Sequence, residues 1–302
     1  MDALRRPITI AFLVEVLIGG VFAGLMYSLV ALGFVLIFKA SGVFNFAQGV
    51  MVLFAALTLV GLLERGAPVL VALGLTTVVM VALAFAIERV VLRPLVNQAH
   101  IILFMATIGL NFFLEGFGEM LWGANVKKLD IGIPDRSFMV RGVQINQLEL
   151  TAAATAAILV TVLAVFFQRT RIGRALRAVA DDHEAALSIG IPLKTIWIVV
   201  WSVAGVVAIV AGLMWGAKSG VQFSLSLIAL KALPVLILGG FESVPGAIVG
   251  GLIIGVGEKL GEVYWGPLVG GAIENWFAYV VALAFLLARP QGLFGEKIIE
   301  RV

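Results

Sequence analysis

The sequence predicts an all-α protein that crosses a membrane many times. Of its 302 residues, 62% are hydrophobic and only 13% are charged, whereas about a quarter of the residues are charged in an ordinary soluble domain. About eight apolar segments are long enough to enter or cross a bilayer, and polar or Gly-rich residues interrupt two of them. We expect about eight to ten membrane elements, including two broken or re-entrant helix pairs, in one transmembrane domain over residues 1–302.

The apolar segments define the elements in chain order. They cover residues 8–38, 43–63, 67–91, 100–122, 149–167, 195–216, 228–257 and 269–288. The first would form a straight helix of roughly 46 Å, which is longer than a hydrocarbon core of about 30 Å. The seventh is similarly long and contains a Gly- and Pro-rich stretch with a carboxylate. Such a stretch predicts a broken helix, because non-helical backbone at membrane depth must be buried in protein or line a wet cavity.

Composition excludes several classes of function. The chain has no cysteine, which rules out thiolate metal sites and cysteine nucleophiles. His100 and His183 lack metal-ligand spacing, and no carboxylate has a nucleophile or metal companion. The net charge of +3 is spread over short loops, unlike a nucleic-acid-binding patch. We therefore expect no catalytic site, no metal site and no cofactor.

The charged residues set the expected topology. The polar stretch at residues 168–194 carries Arg and Lys side chains between apolar segments, so we place it in the cytoplasm. Both termini are then cytoplasmic only if residues 8–63 and 228–257 each contain an extra turn. With those turns, Lys and Arg are more frequent on the cytoplasmic side, as the positive-inside rule requires. The first segment lacks a small-residue cleavage site and is expected to remain uncleaved.

This arrangement contains a candidate parallel repeat. One unit covers residues 8–95 and the other covers residues 195–291, and each consists of an entering helix, a broken pair and an exiting helix. Leu92-Arg93-Pro94 and Ala288-Arg289-Pro290 end the two units alike. Transporter folds place substrate paths at such repeat interfaces. The alternative is chance similarity between two Gly- and Val-rich segments.

A polar interruption at residues 41–49 is the first candidate for contact with a small solute. Asn45 and Gln48 place two amides at the start of an apolar run, and Asn45 is suited to cap a helix that begins at Phe46. The end of such a half-helix has free N–H groups and partial positive charge, which suit a carboxylate. We expect Asn45, Phe46, Gln48 and Gly49 to lie on a substrate path. The alternative is an interfacial loop that Asn45 caps without any ligand.

The second interruption, rich in Gly and Pro, predicts further path residues, namely Glu242, Ser243, Pro245 and Gly246. A carboxylate near membrane depth is costly unless it is paired or hydrated, and Lys231 in the same segment is a candidate partner for Glu242. The alternative is a polar turn near the interface.

Lone polar groups inside apolar helices are a third set of candidates. Thr107, Asn111 and Glu115 are spaced four apart and share one helical face, and Glu15 lies alone in the first segment. Polar groups inside a membrane are functional candidates by default, so we expect Thr107 and Asn111 on the substrate path. Hydrogen bonding between packed helices is the alternative.

The polar loop predicts a short amphipathic helix over residues 174–188, which a Gly190-Ile191-Pro192 sequence ends. An apolar stripe would consist of Leu176, Val179, Ala186, Leu187 and Ile189. A helix with such a stripe suits the docking of a soluble partner. The alternative is a solvated amphipathic loop at the membrane surface.

Residues in this loop resemble a known motif. Glu184-Ala185-Ala186 followed by Gly190 is similar to the cytoplasmic coupling motif of ABC-importer permeases. Four segments resemble branched-chain amino acid permeases of the high-affinity Leu/Ile/Val importer type, namely residues 31–49, 174–192, 237–251 and 289–302. Related permeases for urea and short-chain amides share these features. The resemblance implies that the contact with an ATPase is made by Asp181, Asp182, Glu184, Ala185, Ala186, Gly190, Ile191 and Pro192.

The same resemblance implies a non-enzymatic permease subunit in the bacterial inner membrane. Its partners would be a second, related permease, two ATP-binding subunits that hydrolyse ATP, and a periplasmic substrate-binding protein, with no nucleic acid. The cargo would be branched-chain or related small amino acids. From the residues alone, two alternatives remain open: a passive channel for small neutral solutes such as urea or amides, and a membrane scaffold without a solute path.

Overall fold

The predicted all-α membrane fold is confirmed. The computed structural model describes residues 10–95, 98–181 and 183–295, with the side chains at 181, 183 and 184 outside the description. Twelve α-helices and one β-hairpin are present within these ranges. Six helices are long and apolar enough to span a bilayer, and three shorter apolar helices accompany them in the described part of the chain. The chain is therefore a multi-pass membrane protein.

The helices follow one another with short connections. They are α1 (Ile10–Ser41), α2 (Gln48–Glu64), α3 (Val69–Ile87), α4 (His100–Trp122), α5 (Gln147–Arg169), α6 (Arg171–Asp181), α7 (His183–Ser188), α8 (Leu193–Ser219), α9 (Ile228–Gly239), α10 (Val244–Tyr264), α11 (Gly266–Val269) and α12 (Phe277–Ala288). Short π- or 3₁₀-helical turns lie at Glu88–Leu92, Arg93–Leu95, Phe223–Leu227 and Ile273–Asn275.

Both predicted breaks are present, and one predicted turn is not. The backbone leaves helical geometry at residues 42–47, between α1 and α2, and at residues 240–243, between α9 and α10. Helix α1, in contrast, is continuous over 32 residues, which corresponds to about 48 Å. The extra turn expected within residues 8–63 is therefore absent from α1, and the predicted cytoplasmic start of the chain depended on that turn. No proline interrupts the sequence of α1, so no residue in it lacks the N–H that the helical hydrogen bonds need.

Sequence reasoning missed a β-hairpin between α4 and α5. Strand β1 (Ser137–Val140) pairs antiparallel with β2 (Val143–Asn146). The two turn residues, Arg141 and Gly142, have φ values of 50° and 84°, as the tight turns of two-residue hairpins require. The hairpin was missed because its strands have only four residues each and follow a stretch without clear periodicity.

The described chain divides into two compact units. Unit 1 comprises residues 10–31, 132–158 and 231–295, and unit 2 comprises residues 32–131 and 159–230 apart from the undescribed positions. Each unit has its own core.

In unit 1, glycines bring the backbones of α1 and α10 together. A Cβ atom added to Gly24 would lie 2.7 Å from the carbonyl oxygen of Gly251, and one added to Gly20 would lie 2.7 Å from the Cα atom of Val256. Ser28 continues this face, and its hydroxyl lies 2.7 Å from the Gly24 oxygen and 3.2 Å from the oxygen of Ile248. Small residues four apart allow such close helix packing in lipid.

In unit 2, α2 is the central helix. Its residues from Gln48 to Gly61 are buried, and it packs against α3, α4 and α8. On α8, Gly212 lies against the backbone of Val52. The indole nitrogen of Trp197 donates a hydrogen bond of 3.0 Å to the carbonyl oxygen of Ala40 at the end of α1. These contacts fix the break at residues 42–47 inside protein.

Candidate functional site

Asn45 organises the break between α1 and α2. Its side-chain oxygen accepts a hydrogen bond of 3.1 Å from the N–H of Ala47, and its backbone oxygen accepts one of 3.2 Å from the N–H of Gln48. Helix α2 begins at Gln48, so the predicted start at Phe46 is wrong by two residues. The reason is local: Asn45 forms a side-chain turn with the residue two positions later instead of capping a helix directly.

Thr107 on α4 closes the break from the side. Its hydroxyl oxygen accepts a hydrogen bond of 3.1 Å from the N–H of Phe46 and donates one of 2.8 Å to the carbonyl oxygen of Phe104. The amide nitrogen of Asn45 donates to the Gln48 side-chain oxygen at 3.4 Å. Asn45 and Gln48 have no exposed area, and Thr107 is only 2% exposed. We call Asn45, Gln48 and Thr107 the buried polar cluster.

The structure brings four predicted path residues together and separates others. Phe46 contributes its N–H to the buried polar cluster, whereas Gly49 packs against the backbone oxygen of Ser226 so closely that a Cβ atom would collide with it. Asn111 and Glu115 lie farther along α4, where both are half-buried. The buried polar cluster belongs to unit 2, and the α9–α10 break belongs to unit 1.

In unit 1, a helix N-cap and a close backbone contact stabilise the α9–α10 break. The hydroxyl oxygen of Ser243 accepts a hydrogen bond of 3.0 Å from the N–H of Gly246, with Pro245 in the first turn of α10. This is the geometry of a helix N-cap. The backbone of Gly246 lies directly against that of Gly239, and Glu242 is exposed. Ser243 and Gly246 therefore have structural roles in shaping this break.

Lys231 is paired with a different carboxylate from the predicted one. Its Nζ atom lies 2.7 Å from Oε1 of Glu258 on α10, so the predicted partnership with Glu242 is wrong. Glu258 was missed because the predicted apolar segment ended at residue 257, whereas α10 continues to Tyr264. The two charges are 27 residues apart in the chain, and only the return of α10 along α9 after the break brings them together.

Glu15 lies beside the β-hairpin. Its Oε2 atom accepts a hydrogen bond of 3.2 Å from the N–H of Gln144. It also lines a cavity of about 390 Å³ in unit 1, together with Glu149 and Lys259 among others. The first turns of α1 therefore lie on the same side of unit 1 as the hairpin and the start of α5.

The predicted coupling helix ends in a well-formed cap. Gly190 has φ of +86° and donates its N–H to the oxygen of Leu187 at 3.0 Å, while Ile191 donates to the oxygen of Ala186 at 3.0 Å. This pair of hydrogen bonds is similar to the Schellman arrangement, which favours glycine at the left-handed position. The chain then enters α8 through Pro192.

The predicted apolar stripe of this loop is divided in two. Leu176, Val179 and Ala186 are buried against the protein, whereas Leu187 and Ile189 are 51% and 73% exposed. The stripe does not form one ridge, because its last two apolar residues, at the end of α7 and in the turn after it, are exposed. The exposed pair is the part that is available to a partner.

The other residues predicted to contact the ATPase differ in exposure, and some lie outside the description. Ala185 is exposed and Ile191 is half-buried, Asp182 lies outside the described residues, and the side chains of Asp181 and Glu184 lie outside the description. Arg177, on α6, donates to the carbonyl oxygens of Phe167 and Gln168 at 2.8 and 3.3 Å. It therefore caps the end of α5 in addition to carrying positive charge.

Replacing Thr107 with valine is expected to lower the free energy of unfolding by about 1–3 kcal/mol, because the half-buried Phe46 N–H loses its acceptor. Thermal unfolding of the purified protein in detergent measures this loss. Thr107→Ser keeps the hydroxyl and serves as the matched control. A valine variant as stable as the serine variant would show that the Phe46 hydrogen bond contributes nothing.

Comparison with known proteins places these features in a family. The family model described as the permease component of the branched-chain amino acid transport system matches residues 16–289. The high-affinity branched-chain amino acid transport system permease protein BraD of Pseudomonas aeruginosa is 28% identical, with 95% of this chain and 97% of BraD covered. LivH of Escherichia coli K12, whose name gives the same function, is also 28% identical, with 96% of this chain and 98% of LivH covered.

A more distant relative is the fructose import permease protein FruG of Bifidobacterium longum, which is 21% identical over 82% of this chain and 74% of FruG. The family match, in contrast, spans nearly the whole chain. The chain therefore belongs to the family of branched-chain amino acid transport system permease components.

Proposed function

We propose that this chain is the permease subunit of an ATP-driven importer that moves branched-chain or related small amino acids across the bacterial inner membrane. The observation that carries the proposal is the end of α7 with its capped turn, where Leu187 and Ile189 are exposed in the segment between α6 and α8. A rigid, exposed apolar pair suits insertion into a groove of a motor protein. ATP is hydrolysed by that partner and not by this chain.

The proposed assembly contains a second, related permease, two ATP-binding subunits and a periplasmic substrate-binding protein. Support comes from the relatives BraD and LivH, whose names describe each as one permease protein of a transport system. Binding of nucleotide and of loaded binding protein would bias the permease between two conformations. The loop with α6 and α7 transmits that bias as a rigid-body movement.

The orientation follows from the position of the coupling turn. With α6 and α7 in the cytoplasm, α5 begins on the opposite side, together with the hairpin. Because Glu15 contacts Gln144 of that hairpin, the start of α1 lies on the outer side in this proposal. In this proposal α8 ends on the outer side, α9 enters the membrane from there, and the break at residues 240–243 turns α10 back to the outer side. The end of α12 then faces the cytoplasm.

The cargo class rests on the two relatives that cover almost the whole chain and carry branched-chain amino acids in their names. The name of the distant relative FruG specifies fructose instead. Within the proposal, each of the breaks at residues 42–47 and 240–243 is by itself a candidate for contact with cargo, because non-helical backbone at membrane depth must be buried in protein or line a wet cavity.

Reconstitution tests this proposal. The complex is purified through a tag on this chain from the cells that produce it, its partners are identified by mass spectrometry, and it is placed in liposomes. We expect uptake of labelled leucine that requires both ATP and the binding protein. Liposomes that hold this chain alone are the control. Leucine or urea flux through the chain alone without ATP would contradict the proposal and favour a passive channel.

A further inference from the structure

Lys231 carries an ammonium group in the first turn of α9, in unit 1. Its Nζ atom donates to Oε1 of Glu258 at 2.7 Å and to the backbone oxygen of Glu274 at 2.9 Å. An ammonium has three N–H donors. Its hydrogen bonds with the described residues therefore use two of the three.

The two side chains of this ion pair differ in their exposure. The side chain of Glu258 is 3% exposed, whereas that of Lys231 is 28% exposed. Glu258 lies about 21 Å along α10 from the first residue of that helix, and it interacts with the side chain of the buried Tyr27 on α1. A charged group in a membrane-spanning region faces protein or water and not lipid. We therefore expect the exposed fraction of the Lys231 side chain to face an aqueous or solute-accessible space.

We propose that Lys231 binds the carboxylate of the amino acid cargo with its third N–H, while Glu258 and Tyr27 hold it in position. A hydrogen bond between an ammonium and a carboxylate is charge-assisted and strong. Glu258 neutralises Lys231 in the absence of cargo, so the binding remains weak enough for release. Because this role rests on the proposed function, it specifies how the same importer recognises the carboxylate that all its proposed cargoes share.

The test compares two ways of removing the ion pair. The first variant, Glu258→Gln, keeps the ammonium. The second, Lys231→Gln together with Glu258→Gln, replaces both charges by amides that can still hydrogen-bond each other. In the reconstituted complex with loaded binding protein, leucine uptake and ATP hydrolysis are measured together. The ratio of leucine transported to ATP hydrolysed reports cargo handling separately from motor activity.

We expect Glu258→Gln to slow leucine uptake and to lower the ratio, because an ammonium that Glu258 no longer neutralises holds the cargo carboxylate more tightly and releases it more slowly. In the double variant we expect the ratio to fall about tenfold or more, which corresponds to the loss of one charge-assisted hydrogen bond, with ATP hydrolysis within about twofold of wild type. Lys231→Arg retains a cation and should preserve the ratio. Lys259→Met is the matched control: Lys259 is a neighbouring lysine whose Nζ lies 2.6 Å from Glu274, and its loss should leave the ratio unchanged.

Two results would overturn the role of Lys231. One is an unchanged ratio in the double variant. The other is a parallel loss of transport and ATP hydrolysis in the double variant and in Lys231→Arg, which would show a purely structural ion pair. Failure of the proposed function is recognised differently, since the unsubstituted complex would then show no ATP-driven leucine uptake.

Discussion

Replacing Gly24 with leucine is expected to lower the free energy of unfolding by about 3 kcal/mol, with a large loss of folded protein in the membrane. A Cβ atom at this position would lie 2.7 Å from the Gly251 oxygen and 2.8 Å from the Leu252 Cα atom. Both atoms belong to backbone, so neither can rotate away. The helices α1 and α10 must separate, and the contacts between them are lost together. Thermal unfolding followed by size-exclusion chromatography measures the effect.

Gly19 on the same helix is the matched control. No atom lies within 4 Å of a Cβ atom added there, so Gly19→Leu makes the same change in hydrophobicity without the collision. We expect this variant to unfold near the wild-type temperature. Equal destabilisation by both substitutions would show that α1 tolerates no leucine in general and would refute the close contact with α10.

The second large effect is expected at the coupling turn. A double substitution of Leu187 and Ile189 by aspartate should abolish ATP-driven uptake, because two carboxylates cannot enter an apolar groove without a heavy desolvation penalty. Both side chains are more than half exposed, so the fold of the permease should be unaffected. Leucine uptake and co-purification of the ATP-binding subunits check these outcomes.

Thr195→Asp is the control for added charge. Thr195 is also exposed and lies in the first turn of α8, where a carboxylate is favourable. We expect this variant to keep transport and to keep the ATP-binding subunits bound. Undiminished uptake in the Leu187 and Ile189 variant would exclude the coupling role of the turn.

The sequence predicted the apolar helices and their breaks because both depend on local composition. Segments of membrane length fold as helices in lipid whatever their neighbours are, and Gly, Pro and amide residues mark where they stop. The continuous α1 was not predicted because a length of about 48 Å exceeds what a flat core needs. No local sequence pattern predicts that a helix extends beyond the hydrocarbon core of the bilayer.

The candidate site was predicted less completely. Asn45, Gln48 and Thr107 stood out in the sequence as polar groups near or within apolar segments. Their hydrogen bonds with one another and with neighbouring backbone depend on contacts between α2, α4 and α8 that no local pattern encodes. The pairing of Lys231 with Glu258 likewise needs the packing of α9 against α10. Sequence reasoning chose Glu242 because it was nearer in the chain, and distance in the chain is a poor guide between antiparallel helices.

The close contact of α1 with α10 also orders events during synthesis. Ser28 and Ile248, which meet through a hydrogen bond, are separated by 220 positions, so a ribosome needs roughly 10–40 s to make the second after the first. During that time the glycine face of α1 has no α10 to pack against. The hydroxyl of Ser28 is already satisfied by Gly24 of its own helix, so this hydroxyl remains hydrogen-bonded in lipid until α10 arrives.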